Sequence, residues 1–168
     1  DYFEEDPSYS KMCLNMKQKP NLPIMINNIT NYEPRTDLIV DQAYKCLLDG
    51  RKILILSDRR EHLKTLKFKF DNYPYSTYTC GFYLGGMKQK DLEETELCDV
   101  ILGTFSMASE GFDCKYPLNT IILGSPKSNI EQAVGRILRQ EKDKITKVPL
   151  VIDINDDFSI FSKQTIKR

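Results

Sequence analysis

Lys52-Ile53-Leu54-Ile55-Leu56-Ser57 is a short, unbroken apolar run closed by a polar residue. A strand with no polar residue on either side of its pleat belongs to a sheet covered on both faces, as parallel sheets are. The flanks agree with this. Before the run, residues 37–49 space Leu38, Ile39, Ala43, Leu47 and Leu48 as a helix does, and Gly50 follows as a stop. After it, residues 58–70 are again helical, with Leu63, Leu66 and Phe70 on one side. The alternation continues with strands over 78–83, 99–103, 120–123 and 148–154. Helices are expected over 87–97 and 128–139, and a closing helix begins near Asp156. Strands too apolar to have a wet face, alternating with helices, predict a doubly wound α/β fold with a parallel sheet and helices on both faces. Ligands of such sheets collect at the carboxyl ends of the strands, so the turns after Leu56, Tyr83, Gly103 and Leu123 carry the functional expectation.

At 168 residues the chain has the length of one domain, and 40% hydrophobic residues are enough for a core. Lysine plus arginine and aspartate plus glutamate stand at 24 each, so any contact with a polyanion must come from a local patch. Cys13, Cys46, Cys80, Cys98 and Cys114 are scattered, with no CxxC pair and a single histidine, His62. That pattern argues against structural zinc and fits a reducing, cytoplasmic compartment. No apolar run is long enough to cross a bilayer, so no membrane partner is expected.

Residues 1–35 differ from the rest. Pro7, Pro20, Pro23 and Pro34 punctuate them, Asn27, Asn28 and Asn31 add turn character, and the apolar run 22–26 reads as an edge strand or a packed arm. We expect this part to be a connector from an upstream domain, with the main domain over 36–168. The acidic start without Met and the stop at Lys167-Arg168 read as the ends of a fragment of a longer protein.

The sharpest chemical signal is Gln132-Ala133-Val134-Gly135-Arg136-Ile137-Leu138-Arg139. On a helix Gln132, Arg136 and Arg139 share one face, while Ile130, Val134, Ile137 and Leu138 are placed to bury the other. Gly135 removes a side chain beside Arg136 and lets another surface approach. Two guanidinium groups at fixed spacing suit phosphate, whose geometry their planar forks match. A solvated amphipathic helix is the plainer reading of an isolated arginine pair. The second signal, Gly103-Thr104 through Gly111-Phe112-Asp113, follows directly on a buried strand. Thr104 offers a hydroxyl, Gly111 permits close backbone approach, and Asp113 can accept from a ribose hydroxyl. By itself this stretch is equally readable as a helix cap and a tight turn.

Together, in this order and with the strand 120–124 and the Ser125-Pro126-Lys127 loop between them, the two resemble motifs V and VI of superfamily 2 helicases. The strand 53–57 is similar to the start of motif IV, and Tyr83-Leu84-Gly85-Gly86-Met87 to the glycine-containing motif between IV and V. The resemblance covers roughly residues 36–154. In detail it is nearest to the late-transcription DNA helicases of large cytoplasmic DNA viruses, of the poxvirus and African swine fever virus type.

The resemblance implies a RecA-like second motor lobe, a P-loop NTPase-type fold lacking its own P-loop. Neither GxxxxGK[ST] nor an Asp-Glu-x-His box occurs in the chain. ATP and Mg²⁺ would be held mainly by a first lobe upstream, and the chain alone is expected not to hydrolyse ATP. Arg136 and Arg139 would be the arginine fingers, Gln132 would position nucleotide or water, and Gly111 with Asp113 would border the ribose. Backbone contacts to nucleic acid, DNA first and RNA second, would come from Ser57, Arg59, Gly85, Gly86, Lys88 and Thr104. The ridge Arg60, Lys64, Lys67 reads as solvated surface. His62 is expected on a helix surface, and Asp156, grouped with Asp153 and Asp157, as a helix cap. The alternatives are a degenerate lobe serving as a binding scaffold and an unrelated Rossmann-like enzyme. The intact Gln132, Arg136 and Arg139 weigh against the first, and the missing GxGxxG turn against the second.

Overall fold

The computed structural model describes residues 3, 5–110, 112, 118–137 and 147–167, apart from the side chains of Arg136, Ile137, Thr165 and Lys167. Strands β1 (Ile53–Leu56), β2 (Cys80–Tyr83), β3 (Val100–Gly103), β4 (Thr120–Leu123) and β5 (Leu150–Asp153) form one sheet in the order β2-β3-β1-β4-β5. Every pairing is parallel, as the apolar runs require. The central strand β1 sits opposite β3 and β4 with Leu56 level with Gly103 and Leu123, so the carboxyl ends of three strands finish in line. Chain order leaves β1 for β2, returns to β3, then crosses to β4. The switch point is therefore at β1, where this class of sheet places its ligands.

Helices α3 (Glu33–Leu48) and α4 (Arg60–Asp71) cover one face. Their Ile39, Ala43, Leu47, Leu63, Leu66 and Phe70 pack on Ile53, Ile55, Val100, Leu102 and Ile122. Pro34 fits the first turn of α3, where its missing N–H costs nothing. The helix stops at Gly50, whose φ of 69° lets its amide bond the Leu47 carbonyl at 2.8 Å and the Arg51 amide reach the Cys46 carbonyl at 3.0 Å. The opposite face takes α5 (Gln89–Thr95), α6 (Phe105–Glu110) and α7 (Glu131–Ile137). There Leu92, Phe105, Ala108, Ile130 and Ala133 meet Leu54, Leu56, Ile101, Ile121 and Leu123. Helices α3, α4 and α5 begin and end within a few residues of the expected bounds, and α7 begins three residues after its expected start. Helix α6 falls where the sequence suggested a small-residue turn, and the closing helix starts later than expected.

The first residues fold back onto the domain. Helix α1 (Pro7–Ser10), capped by the Asp6 carboxylate on the Ser8 amide at 2.8 Å, and α2 (Leu22–Asn31) enclose a separate apolar cluster with α8 (Phe161–Lys167). Met25, Ile29 and Phe161 are fully buried in it. The run 22–26 is thus helical, not an edge strand. Leu22, Met25, Ile26 and Ile29 recur at intervals of three and four, and Pro23 starts the first turn.

One buried polar knot ties this arm to the sheet. Arg35 forms a two-pronged ion pair with Asp156, Nε to Oδ1 at 2.7 Å and Nη2 to Oδ2 at 2.8 Å, with both side chains 1% exposed. The third nitrogen, Nη1, donates to the Gly124 carbonyl at 2.6 Å, and the Tyr9 hydroxyl donates to Asp156 Oδ1 at 2.5 Å. Asp156 is therefore no helix cap, contrary to the sequence expectation. The closing helix α8 starts only at Phe161, and the carboxylate is consumed by a guanidinium 121 residues away.

Candidate nucleotide and nucleic-acid site

The carboxyl edge is assembled by hydrogen bonds that run one residue past the strands. The Ser57 amide bonds the Gly103 carbonyl at 3.0 Å, and the Gly124 amide bonds the Leu56 carbonyl at 2.8 Å. A Cβ on Gly124 would stand 3.0 Å from the Leu56 carbonyl oxygen, so only glycine lets the two turns come this close. The Asp58 amide donates to Ser125 Oγ at 3.0 Å, and Lys127 closes the turn on the Asp58 carboxylate at 2.6 Å. The Lys127 ammonium also lies 5.7 Å from the Phe105 ring centre.

The expected site residues fall on this edge with different freedoms. Ser57 is fully buried. Its hydroxyl accepts from the Arg59 amide at 3.2 Å and meets His62 Nδ1 at 3.1 Å. The hydroxyl therefore faces inward and orders the turn that carries Arg59. Arg59 lies half-buried against α2, donating from Nε to Asn27 Oδ1 at 2.5 Å and from Nη2 to the Pro23 carbonyl at 3.3 Å. Arg60 donates to the Gly85 carbonyl at 3.0 Å and so links the α4 start to the glycine turn. Gly85 and Gly86 are exposed, as is Lys88, and Gly86 has a φ of 90° that disfavours any side chain. Thr104 is the cap of α6. Its Oγ1 accepts from the Met107 amide at 3.4 Å and contacts Ser106 Oγ at 3.1 Å.

Of the residues expected on the buried side of α7, Ile130 just before it is buried and Val134 is half-buried, while the side chains of Ile137 and Leu138 fall outside the described residues. Ala133 and Ile130 are buried against the sheet while Gln132 faces outward, and a Cβ at Gly135 would meet open space among the described residues. The backbone of Arg136 lies in α7. Its side chain, together with Arg139, Gly111 and Asp113, falls outside the described residues, as does Cys114. Of the remaining ridge, Lys64 pairs with Glu61 at 2.7 Å and Lys67 with Asp71 at 2.6 Å, which fits solvated surface. Among the described residues no group of three His, Cys, Asp or Glu is placed to hold a metal ion. None of their helices is long and apolar enough to cross a membrane.

Reading His62 as a surface residue was wrong. It is 1% exposed, on the α4 flank that also carries Leu66 and Phe70 at intervals of four, and that spacing was the legible signal. Its Nε2 has no hydrogen-bond partner among the described residues. Burial, assisted by the nearby Arg35 guanidinium, lowers its pKa to about 3. In the unfolded chain the imidazole titrates at its ordinary value of about 6.5. The unfolded state therefore binds a proton first as pH falls, and folded-state stability is full above about 6.5 and declines towards 3. Between pH 7 and pH 5 the expected loss is about 2 kcal/mol, at about 1.4 kcal/mol per unit. Urea titrations at the two pH values check this, and a His62→Gln variant should show a flatter dependence. An unchanged midpoint in the parent would contradict it. Burial likewise pushes the Cys80 thiol up to about 12, which makes it a packing residue and no nucleophile.

The comparisons with known proteins bear on this geometry. No protein-family model matches the chain. It is 39% identical over 151 residues to the "Putative ATP-dependent RNA helicase L396" of Acanthamoeba polyphaga mimivirus, a match spanning 89% of this chain and 28% of that protein. It is 36% identical over 85 residues to the identically designated QP509L of African swine fever virus, across 50% of this chain and 16% of that protein. The chain thus spans little more than a quarter of the first of these relatives, and their names specify RNA where the sequence reading placed DNA first. Among solved structures, T4 UvsW superposes with a TM-score of 0.70 at 19% identity, over 90% of this chain and 34% of that one. The C-terminal part of the Fun30 ATPase domain superposes with a TM-score of 0.62 at 18% identity, over 79% of this chain and 44% of that one. The chain is therefore a sequence relative of viral proteins named as ATP-dependent helicases, and its parallel sheet is the RecA-like fold of helicase domains.

Proposed function

We propose that the chain is the second motor lobe of an ATP-dependent helicase or translocase of superfamily 2, acting on single-stranded RNA or DNA. The observation that carries this reading is α7. Its apolar side is anchored on the sheet and its Gln132 side is presented to solvent, beside a carboxyl edge that bears Thr104 and the glycine turn. Relatives named as ATP-dependent helicases support it.

In this reading a first lobe holds ATP with Mg²⁺, and Arg136 and Arg139 reach the γ-phosphate from across the cleft. As water attacks phosphorus and the bond to the ADP oxygen breaks, charge spreads over the equatorial phosphoryl oxygens, and the guanidinium groups stabilise it. Gln132 orients water or nucleotide, and Gly111 with Asp113 borders the ribose. Mg²⁺, held by that first lobe, would supply positive charge to the triphosphate. Because cradle and fingers lie on different lobes, ATP favours the closed arrangement and hydrolysis releases it. Arg59, Arg60, Lys88, the Gly85-Gly86 turn and Thr104 follow the nucleic-acid backbone without reading sequence.

Half of a divided site should be inert. The chain on its own is expected to show no ATP turnover above buffer, while the full-length protein hydrolyses ATP. Turnover by the chain alone at the full-length rate, or an inactive full-length protein, would overturn the proposal.

A further inference from the structure

The sequence reading gave residues 1–35 no part in binding, yet α2 forms one wall of a groove whose other wall is the start of α4. The groove has a volume of about 340 Å³ and is lined by Asn27, Thr30, Asn31, Asp58, Arg59, Arg60 and Glu61. Its charge balance is informative. Each of its carboxylates has its own lysine, Asp58 with Lys127 at 2.6 Å and Glu61 with Lys64 at 2.7 Å. Its two arginines have none. Among the described residues Arg59 and Arg60 donate only to neutral oxygens, those of Asn27, Pro23 and Gly85. Asn27, which lines the groove, spends its carbonyl oxygen on Arg59 and keeps its amide nitrogen as a further donor, and Asn31 is exposed at the end of the same helix.

We propose that this groove is a subsite for the phosphodiester backbone of single-stranded nucleic acid, with α2 contributing Asn27 and Asn31 beside Arg59 and Arg60. The proposal rests on the motor-lobe reading and extends it to a helix that reading does not use. Guanidinium groups without a carboxylate partner keep their charge available to an anion, and carboxamide N–H groups add donors without reading sequence. The Arg60 link to Gly85 makes the groove continuous with the glycine turn and Lys88, so one strand can follow all three.

The test is fluorescence anisotropy of the full-length protein with labelled oligothymidylate and oligouridylate of about 20 nucleotides. Asn27→Asp places a carboxylate where Arg59 already donates, so it neutralises that arginine without disturbing the fold. Affinity for both strands should fall about tenfold, and the slope of log affinity against log salt should shrink by about 0.7, the value of one phosphate contact on a single strand. Asn31→Lys adds a cation and should do the reverse. Asn72→Asp, at the far end of α4, adds the same charge as Asn27→Asp outside the groove and should leave affinity unchanged. If the parent protein binds both strands and neither groove variant alters affinity, the groove is overturned while the motor reading stands. The same holds if Asn72→Asp weakens binding as much as Asn27→Asp, or if the loss is confined to one kind of strand. If the parent protein binds neither strand, both fail.

Discussion

Arg139→Ala in the full-length protein is expected to lower nucleic-acid-stimulated ATP turnover by about 10³-fold or more, the range that arginine fingers contribute in phosphoryl transfer. The effect should fall on kcat, because a finger that engages charge developing at the γ-phosphate does more for the transition state than for bound ATP. Binding of a labelled ATP analogue should change little. Arg139→Lys should recover only a part of the lost rate, since an ammonium is a point charge and cannot place two parallel donors on a phosphoryl group. A loss expressed in KM alone would make Arg139 a nucleotide-binding residue. No loss at all would return α7 to the solvated amphipathic helix that its sequence also allows.

The second large effect concerns the fold. Asp156→Ala removes a carboxylate that is 1% exposed and leaves the Arg35 guanidinium buried with, among the described residues, only the Gly124 carbonyl as a hydrogen-bond partner. Breaking a buried pair from one side costs about 3–5 kcal/mol, because the remaining charge has no compensation. For a chain of this size that corresponds to a drop in melting temperature of roughly 10 °C. Tyr9 also loses its acceptor, so the N-terminal arm should detach more easily and limited proteolysis should cut within residues 11–20 sooner. Removing both charges together, as Arg35→Met with Asp156→Leu, should cost less than either single change. Thermal melts followed by circular dichroism test this. A shift below about 2 °C for Asp156→Ala would mean that the knot is solvated and does not hold the arm.

The knot also shows where sequence reading ended. The sheet was legible because runs such as Ile53–Leu56 and Thr120–Leu123 are apolar on both sides of the pleat and only a doubly covered parallel sheet accommodates that. Helix α7 was legible because its apolar and polar residues separate cleanly at helical spacing. The arm was obscured by its prolines and asparagines, although Leu22, Met25, Ile26 and Ile29 follow a helical period beneath them. Arg35 and Asp156 lie 121 residues apart, and nothing local to either announces the other. Asp156 was read as a cap because carboxylates near a predicted helix usually are, and α8 then began five residues later. The groove beside Arg59 depends on where α2 packs, and the sequence reading allowed a packed arm there without naming its partners. The sequence pointed to the arginine, while its neighbours Asn27 and Asn31 emerge only once the arm is folded against the sheet.

The account stands most directly on one measurement: steady-state ATP turnover by the full-length protein, titrated with single-stranded RNA and single-stranded DNA oligonucleotides. A motor whose two lobes close around ATP and a strand together should turn over slowly alone and severalfold to many-fold faster as the strand saturates, with at least one of the two nucleic acids effective. Turnover that is absent, or that proceeds at the same rate with and without either strand, would contradict the motor reading and leave the chain a RecA-like scaffold.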